Sequence, residues 1–416
     1  MKKTIPIARP FMGEAECAAV KKVILSGWVT QGPIVRSFEE MFASYVGARY
    51  ACAVSSCTTA LHLALRAVGV KPGNIVITVS HSFIATANAV RHCMAEPVFI
   101  DIDPDICNMS AKALEELLGN GCKKRNGKVY YKNVKKISCG ESPLTFIDKY
   151  NIEFGRISAI LAVHQMGMPC DLMSIISIAG RYGLPVVEDA ACAVGSAILM
   201  TRGRGWEKIG RPHGNIACFS FHPRKVITTG DGGMLTTNNP EYDRVFRLLR
   251  QHGMDISDVK RHLAKRISAE TYLTTGYNYR MTDIQAAVGI EQLRRLREMV
   301  ARRRRLALKY KEELSAVSWL KLPTEPEYAK ANWQSYPVRL LKGAPRSRDG
   351  LMQYLLDNGI STRKGIMNSH QEKPYRNHSE ALKKSEIARN SVILLPLFHQ
   401  LKEVDIKNIA RIIKDA

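Results

Sequence analysis

Lys225 stands inside the run Cys218-Phe219-Ser220-Phe221-His222-Pro223-Arg224-Lys225-Val226-Ile227-Thr228-Thr229-Gly230-Asp231-Gly232-Gly233. Residues 216–221 alternate, with Ile216 and Cys218 on one face and Ala217, Phe219 and Phe221 on the other, as in a half-buried strand. Pro223 ends that strand. An amine in a turn at the mouth of a sheet can lose its charge through desolvation and attack a carbonyl to form a Schiff base. In a chain with 61 lysines and arginines, a solvated loop is the ordinary place for any one lysine, so partners must carry the argument. The run Leu184-Pro185-Val186-Val187-Glu188-Asp189-Ala190-Ala191-Cys192 reads as a buried strand ending in a carboxylate, followed by small residues that permit close approach. A carboxylate at the C-terminal end of a strand faces the crevice where open α/β sheets bind ligands. Taken singly, Asp189 also suits a helix cap. In Val54-Ser55-Ser56-Cys57-Thr58-Thr59-Ala60-Leu61-His62-Leu63 a strand end meets a hydroxyl-rich turn and a helix. The free N–H groups of that helix start, with Cys57 and Thr58 at its opening, form an anion site, although a plain Ser/Thr cap has the same pattern.

Ser-Ser-Cys-Thr-Thr-Ala-Leu-His-Leu-Ala-Leu, Glu-Asp-Ala-Ala and Ser-Phe-His-Pro-Arg-Lys-Val-Ile-Thr-Thr-Gly-Asp-Gly-Gly occur in that order. Together they resemble the motifs of the DegT/DnrJ/EryC1/StrS nucleotide-sugar aminotransferases, and the likeness runs from about Ser26 to Leu397. The resemblance implies an α/β protein of fold type I, like aspartate aminotransferase, with a mostly parallel sheet and a smaller C-terminal α+β domain. It implies pyridoxal 5′-phosphate as cofactor, with the pyridoxamine form arising in the half-reaction, and Lys225 as its attachment point. Asp189 then pairs with the pyridinium nitrogen and makes the ring an electron sink. Ser220, Cys57 and Thr58 bind the phosphate, and Phe83 stacks on the pyridine. Asn278 reaches the phosphate from the other subunit of a homodimer. Cys192 replaces the glutamine or histidine that commonly approaches the phenolic oxygen, and a thiol is a poorer hydrogen-bond partner. Thr30, Gly32, Arg280 and His370 are candidates for contact with substrate or cofactor; a Gly-Pro turn accounts equally well for the first two, and a surface histidine for His370. His164, in Val163-His164-Gln165-Met166-Gly167, reads as a satisfied core histidine rather than a site residue.

The reaction so implied aminates a nucleotide-linked keto-deoxysugar with an amino acid donor, glutamate in the family, for a polysaccharide or other glycoconjugate. Two alternatives stand beside it. One is a ketosugar dehydratase of the same family, in which histidine replaces the lysine. The other is a non-catalytic binder of anions or nucleic acid on the same fold. A formal net charge of +23 requires anionic company. Charge by itself does not choose between nucleic acid and a nucleotide diphosphate, because the basic residues are spread along the chain with no aromatic-interleaved module; the resemblance implies a nucleotide-diphosphate sugar as partner, and neither nucleic acid nor membrane is expected. The cluster Arg302-Arg303-Arg304-Arg305 reads as a solvated helix face. Ten cysteines, none beyond Cys218 and none in a Cys-x-x-Cys pair, point to reduced thiols and exclude a zinc knuckle. No metal is expected. The N-terminus lacks a signal-peptide core and no apolar run spans a membrane, so a cytoplasmic protein is expected.

These residues need a scaffold to position them. Residues 13–25 carry helical spacing and stop at Ser26-Gly27, so 1–45 read as an arm and a helix. Strands are expected at 74–79, 97–101 and 157–163 with a helix at 85–93, an alternation that predicts a mostly parallel sheet covered on both faces. Residues 118–153 break it with a basic insertion read as a loop or hairpin, either solvated or near the nucleotide diphosphate. A large domain over 1–299 and a smaller one over 300–416 complete the expectation.

Overall fold

The computed structural model describes residues 4–149, 153–200, 205–256, 269–376 and 381–416. In chain order the N-terminal part runs α1 (Glu14–Ser26), α2 (Pro33–Val46), β1 (Tyr50–Val54), α3 (Cys57–Ala67), β2 (Ile75–Val79), α4 (Ala85–His92), β3 (Glu96–Ile100) and α5 (Ala111–Glu116). Then follow β4 (Cys122–Arg125), β5 (Lys128–Tyr131), α6 (Val134–Ile137), β6 (Ile157–Val163), α7 (Leu172–Arg181) and β7 (Val186–Asp189). The short strands β8 (Ala197–Ile198) and β9 (Glu207–Lys208) precede β10 (Ile216–Ser220), β11 (Gly233–Thr237) and α8 (Pro240–Leu249).

Seven strands form the central sheet in the order β1-β11-β10-β7-β6-β2-β3. β10, β7, β6, β2 and β3 pair in parallel, while β11 runs antiparallel to both β10 and β1. The strands are buried on both faces, which is why β2 and β6 read as unbroken apolar runs rather than alternating ones. Connections of the βαβ kind bring the C-terminal ends of β1, β2, β6, β7 and β10 to one edge, and the start of β11 joins them there. The register aligns Cys218 and Val163 with Asp189, and Ser220 and Val54 with Gly233.

α2 lies where the sequence showed only a Gly-Pro turn. Gly32 is its N-cap and Pro33 its first residue, a position where the missing N–H costs nothing. Its Glu39 is buried, accepts from the Ala53 amide at 2.9 Å and meets Arg250 at 2.5 Å and Arg247 at 2.8 Å, tying the helix to β1 and α8.

A long helix, Asp283–Leu314, crosses the expected boundary at residue 300. Leu293, Leu296, Met299 and Val300 pack in the core under the sheet, whereas Leu306, Ala307, Tyr310 and Leu314 pack in a second core with the C-terminal four-stranded sheet. The arginine cluster corrects the expectation of a solvated face. Arg303 is 4% exposed and donates to the carbonyls of Trp333 at 3.1 Å and Leu397 at 3.0 Å, while Arg304 donates to Ala331 at 2.9 Å and Arg302 to Leu401 at 2.9 Å. These guanidinium groups satisfy carbonyls that no sheet partner reaches, and burial lowers the Arg303 pKa to about 10.

The insertion forms a hairpin of β4 and β5 closed by Asn126-Gly127, both at positive φ as a two-residue hairpin turn requires. Its residues 150–152 lie outside the described ones. The hairpin packs against Gly155 and Arg156 at the start of β6, so it stands at the edge of the sheet opposite Asp189 and Ser220. Of the two readings of the insertion, a solvated excursion or a neighbour of the nucleotide diphosphate, this placement at the far edge fits the first. Among the described residues no helix is long and apolar enough to cross a membrane, and all ten cysteines are free.

Candidate active site

Lys225 sits on the loop that joins β10 to β11. The ladder continues past the strands through Phe221 N–H to Gly232 O at 2.9 Å, and Thr229 N–H donates to Phe221 O at 3.0 Å, so the loop has a closed neck. Thr228 Oγ1 donates to Phe221 O at 2.7 Å and Thr229 Oγ1 to Asp231 O at 2.7 Å. The Lys225 N–H closes a turn on His222 O at 2.8 Å. Backbone thus holds the lysine while its amine reaches inward to Cys192 Sγ at 3.0 Å.

The sequence argument placed a desolvated, uncharged amine here, and the surroundings reverse the sign. Burial pulls the Lys225 pKa down, but Cys192, Cys57 and Asp189 around it outweigh burial and leave it raised. The amine is an ammonium in this arrangement. Burial first, then Asp189, Cys218 and Cys192, push the Cys57 thiol well above its usual range against the opposing pull of Lys225. Cys57, Cys192, Asp189 and Lys225 thus lie within electrostatic reach of one another.

Asp189 ends β7, is 5% exposed and takes two hydrogen bonds. Oδ2 accepts from Thr86 Oγ1 at 2.8 Å and Oδ1 from the Ala191 amide at 3.2 Å. Thr86 in turn shares a hydrogen bond with Ser82 at 2.7 Å. Sequence reasoning passed over Thr86, although it lies three residues beyond Phe83 in a segment already singled out. Phe83 itself is 63% exposed on the loop between β2 and α4.

The anion cradle lies at the start of α3. Ser56 caps it through a reciprocal box with Thr59, Ser56 Oγ accepting the Thr59 amide at 3.2 Å and Thr59 Oγ1 the Ser56 amide at 3.1 Å. This uses Thr59 as the capping partner and leaves Cys57 and the partly exposed Thr58 at the first helical positions. Gly233 on β11 lies so close that a Cβ would sit 2.4 Å from Ser56 C and 2.7 Å from Cys57 N, so only glycine lets the strand pass. Ser220, beside Gly233 in register, is 8% exposed and accepts the His222 amide at 3.3 Å. Arg280 bridges Val54 through its backbone, and its Nη1 is buried without a hydrogen-bond partner among the described residues. The N–H groups at Cys57 and Thr58, with the Ser220 hydroxyl brought near by Gly233, fit a phosphate. The donor set as a whole, an amine opposite a carboxylate beside that cradle, fits pyridoxal phosphate.

The remaining candidates are placed as follows. Asn278 is exposed and bridges Gln251 through its backbone. Thr30 is exposed, and its carbonyl accepts from the Asp283 amide at 3.0 Å. The Asp283 side chain accepts from the amides of Gly32 at 2.8 Å, Val35 at 2.9 Å and Ile34 at 3.2 Å, so the long helix anchors the loop carrying Thr30. His370 is 8% exposed with both ring nitrogens engaged, Nδ1 to Ser80 Oγ at 2.6 Å and Nε2 to Glu386 at 3.3 Å. The His81 ring meets Asn368 at 2.8 Å, so two side-chain contacts clamp the C-terminal segment onto the loop bearing Phe83 and Thr86. His164 is buried away from that loop: Nδ1 accepts the Cys170 amide at 3.1 Å, which leaves Nε2 to donate to Glu188 at 3.2 Å. From the C-terminal part, Gln334 donates to Arg224 O at 2.5 Å and Asn332 to Cys192 O at 2.8 Å, contacts across more than a hundred residues that no local pattern announces.

The sequence model of the DegT/DnrJ/EryC1/StrS aminotransferase family matches residues 10–124 and 147–414. An uncharacterized protein of Methanocaldococcus jannaschii, MJ1066, is 32% identical over 99% of this chain and 97% of its own length. The aminotransferase TlmJ from Streptoalloteichus hindustanus superposes with a TM-score of 0.82 at 31% identity, covering 99% of this chain and 98% of that one. DesI, solved in the presence of its TDP-sugar product, gives 0.80 at 25% identity over 100% and 93% of the two chains.

Proposed function

Because this chain belongs to the DegT/DnrJ/EryC1/StrS aminotransferase family, whose members are PLP-dependent sugar aminotransferases, we propose that it aminates the keto group of a nucleotide-linked deoxysugar. An amino acid, glutamate by family precedent, is the donor, and Lys225 carries the chemistry. The observation that supports this most is the gathering of Lys225, Asp189, Ser220 and the α3 cradle at one edge of the sheet, from strands far apart in sequence. Among the solved relatives, DesI with its TDP-sugar product supports the substrate class.

Pyridoxal phosphate, when bound, supplies an electron sink that acidifies the donor's Cα–H. The Cys57 and Thr58 amides, with the Ser220 hydroxyl, would hold its phosphate, and Asp189 its ring nitrogen. Thr86 keeps the Asp189 carboxylate oriented. Lys225 moves the proton between the donor's Cα and the reacting carbon. Since the surroundings raise its pKa, Nζ must lose a proton before it can act as a base. Asn332 and Gln334, bonded to the carbonyls of Cys192 and Arg224, bring the C-terminal part against the segments that carry the site. The lysine itself argues against the dehydratase alternative.

A screen of nucleotide-linked ketosugars with glutamate tests the reading, with 2-oxoglutarate and the aminated sugar as products. Purified protein should absorb near the visible edge of the ultraviolet, and borohydride should remove that band. Failure to reconstitute a chromophore with added cofactor, or amination of no sugar in the screen, would overturn it.

A further inference from the structure

The family match breaks between residues 124 and 147, and the chain uses that gap to build a basic face. From Cys122 to Gly140 the sequence holds Lys123, Lys124, Arg125, Lys128, Lys132, Lys135 and Lys136 and no Asp or Glu. All seven are exposed, while Cys122, Val129, Tyr130, Tyr131 and Ile137 are buried and fasten the hairpin to the body. Lys128 pairs with Glu153 and Lys132 donates to a carbonyl. Lys123, Arg125, Lys135 and Lys136 make no ion pair among the described residues. Arg125 faces Lys128 directly across the hairpin, and Glu153 offsets the charge of Lys128 alone.

Further along the same insertion, Ser142 donates to Glu96 at the start of β3, Pro143 and Leu144 are buried, and Phe146 is left 82% exposed. A ring that exposed, beyond the buried Ser142, Pro143 and Leu144, has no packing role among the described residues. Hairpin and ring both sit at the N-terminal ends of β2, β3 and β6, about 20 Å along the strands from the Lys225 edge.

We propose that this face docks the enzyme on an anionic membrane surface, with the lysines over phospholipid headgroups and Phe146 in the interface. Clustered cations attract an anionic bilayer additively, and one aromatic side chain adds apolar burial. Single-stranded nucleic acid would call for a row of exposed rings among the cations, whereas Tyr130 and Tyr131 of the hairpin are buried and Phe146 supplies a single ring on the turn that follows. Docked in this way, the site edge faces the aqueous side and stays open to a soluble substrate. The expectation of no membrane partner rested on the lack of a spanning segment, and surface docking needs none.

The test is cosedimentation of the holoenzyme with vesicles of phosphatidylcholine alone or mixed with phosphatidylglycerol, at low and high salt. Binding should require phosphatidylglycerol and weaken with salt. The quadruple variant K123E/R125E/K135E/K136E should lose roughly a hundredfold or more in partitioning. Phe146→Ser should lose several-fold with its salt dependence intact. Transamination and elution volume should match the parent in both variants. Equal sedimentation with both vesicle types, no binding at low salt, or unaltered binding by the quadruple variant would overturn the proposal. So would a smaller elution size for that variant, which would make the face a subunit contact, or tighter binding to an oligonucleotide than to the vesicles with Phe146→Ser unchanged. The vesicle readout is independent of the amination reaction, so each idea fails separately.

Discussion

At the C-terminal edge of the central sheet, Lys225 meets Cys192 at 3.0 Å, Asp189 accepts from Thr86 at 2.8 Å, and His81 and His370 are buried in side-chain contacts. At the opposite edge Lys123, Arg125, Lys135 and Lys136 stand in solvent with no acidic partner among the described residues. Both edges are rich in ionisable groups. Enclosure at the first lets neighbours set each group's charge and orientation, whereas water and salt screen the second, which keeps only the long-range field of a patch. Chemistry belongs at the first edge and attraction at the second.

The sharpest way to break this contrast is Lys225→Ala. It should cost at least about a thousandfold in kcat/KM and abolish the cofactor absorbance, as expected for removal of both anchor and proton carrier. A variant that kept a tenth of the activity would move the chemistry elsewhere.

A smaller effect should appear in the pH dependence of stability. Burial lowers the His81 pKa from 6.5 to about 4, against the opposing pull of Asn368 and Asp101. Between those values the unfolded chain binds a proton that the folded chain refuses, so stability present at neutral pH is lost as pH falls, by up to about 3 kcal/mol. Urea unfolding of His81→Phe at pH 5 and pH 7 should show a shallower difference than the parent. Equal slopes would mean that His81 does not stay neutral on folding.

Thr86→Val should weaken cofactor retention about tenfold, the worth of one hydrogen bond to a carboxylate, with the fold intact. Dialysis against phosphate followed by absorbance measures it. Smallest of all, Lys135→Gln with Lys136→Gln should leave kcat/KM unaltered and stability within about 0.5 kcal/mol, because exposed unpaired side chains carry little. A loss of catalysis there would erase the distinction between the two edges.

Much of the first edge was legible because its pieces are local. The alternation before Pro223, the carboxylate at the end of β7 and the cap before α3 each occupy a dozen residues or fewer, and their order along the chain matches the family. Thr86 was harder to see, since its partner lies 103 residues away. α2 was hidden because Gly32-Pro33 serves equally as a turn or as a helix start, and Glu39 with Arg250 decides between them. The arginines of the long helix were misread for the same reason: their carbonyl partners belong to residues 331–401.

Strand and helix periodicity, the positions of the lysine and carboxylate proposed to carry the chemistry, and the sign of the insertion's charge were all determined by the sequence, because each depends on residues close together in the chain. Only the tertiary structure decided that Lys225 is held charged beside Cys192 and that the basic hairpin occupies the edge away from the site. Charge state and placement depend on which distant groups the packed sheet brings within a few ångströms, and the chain expresses that only when folded.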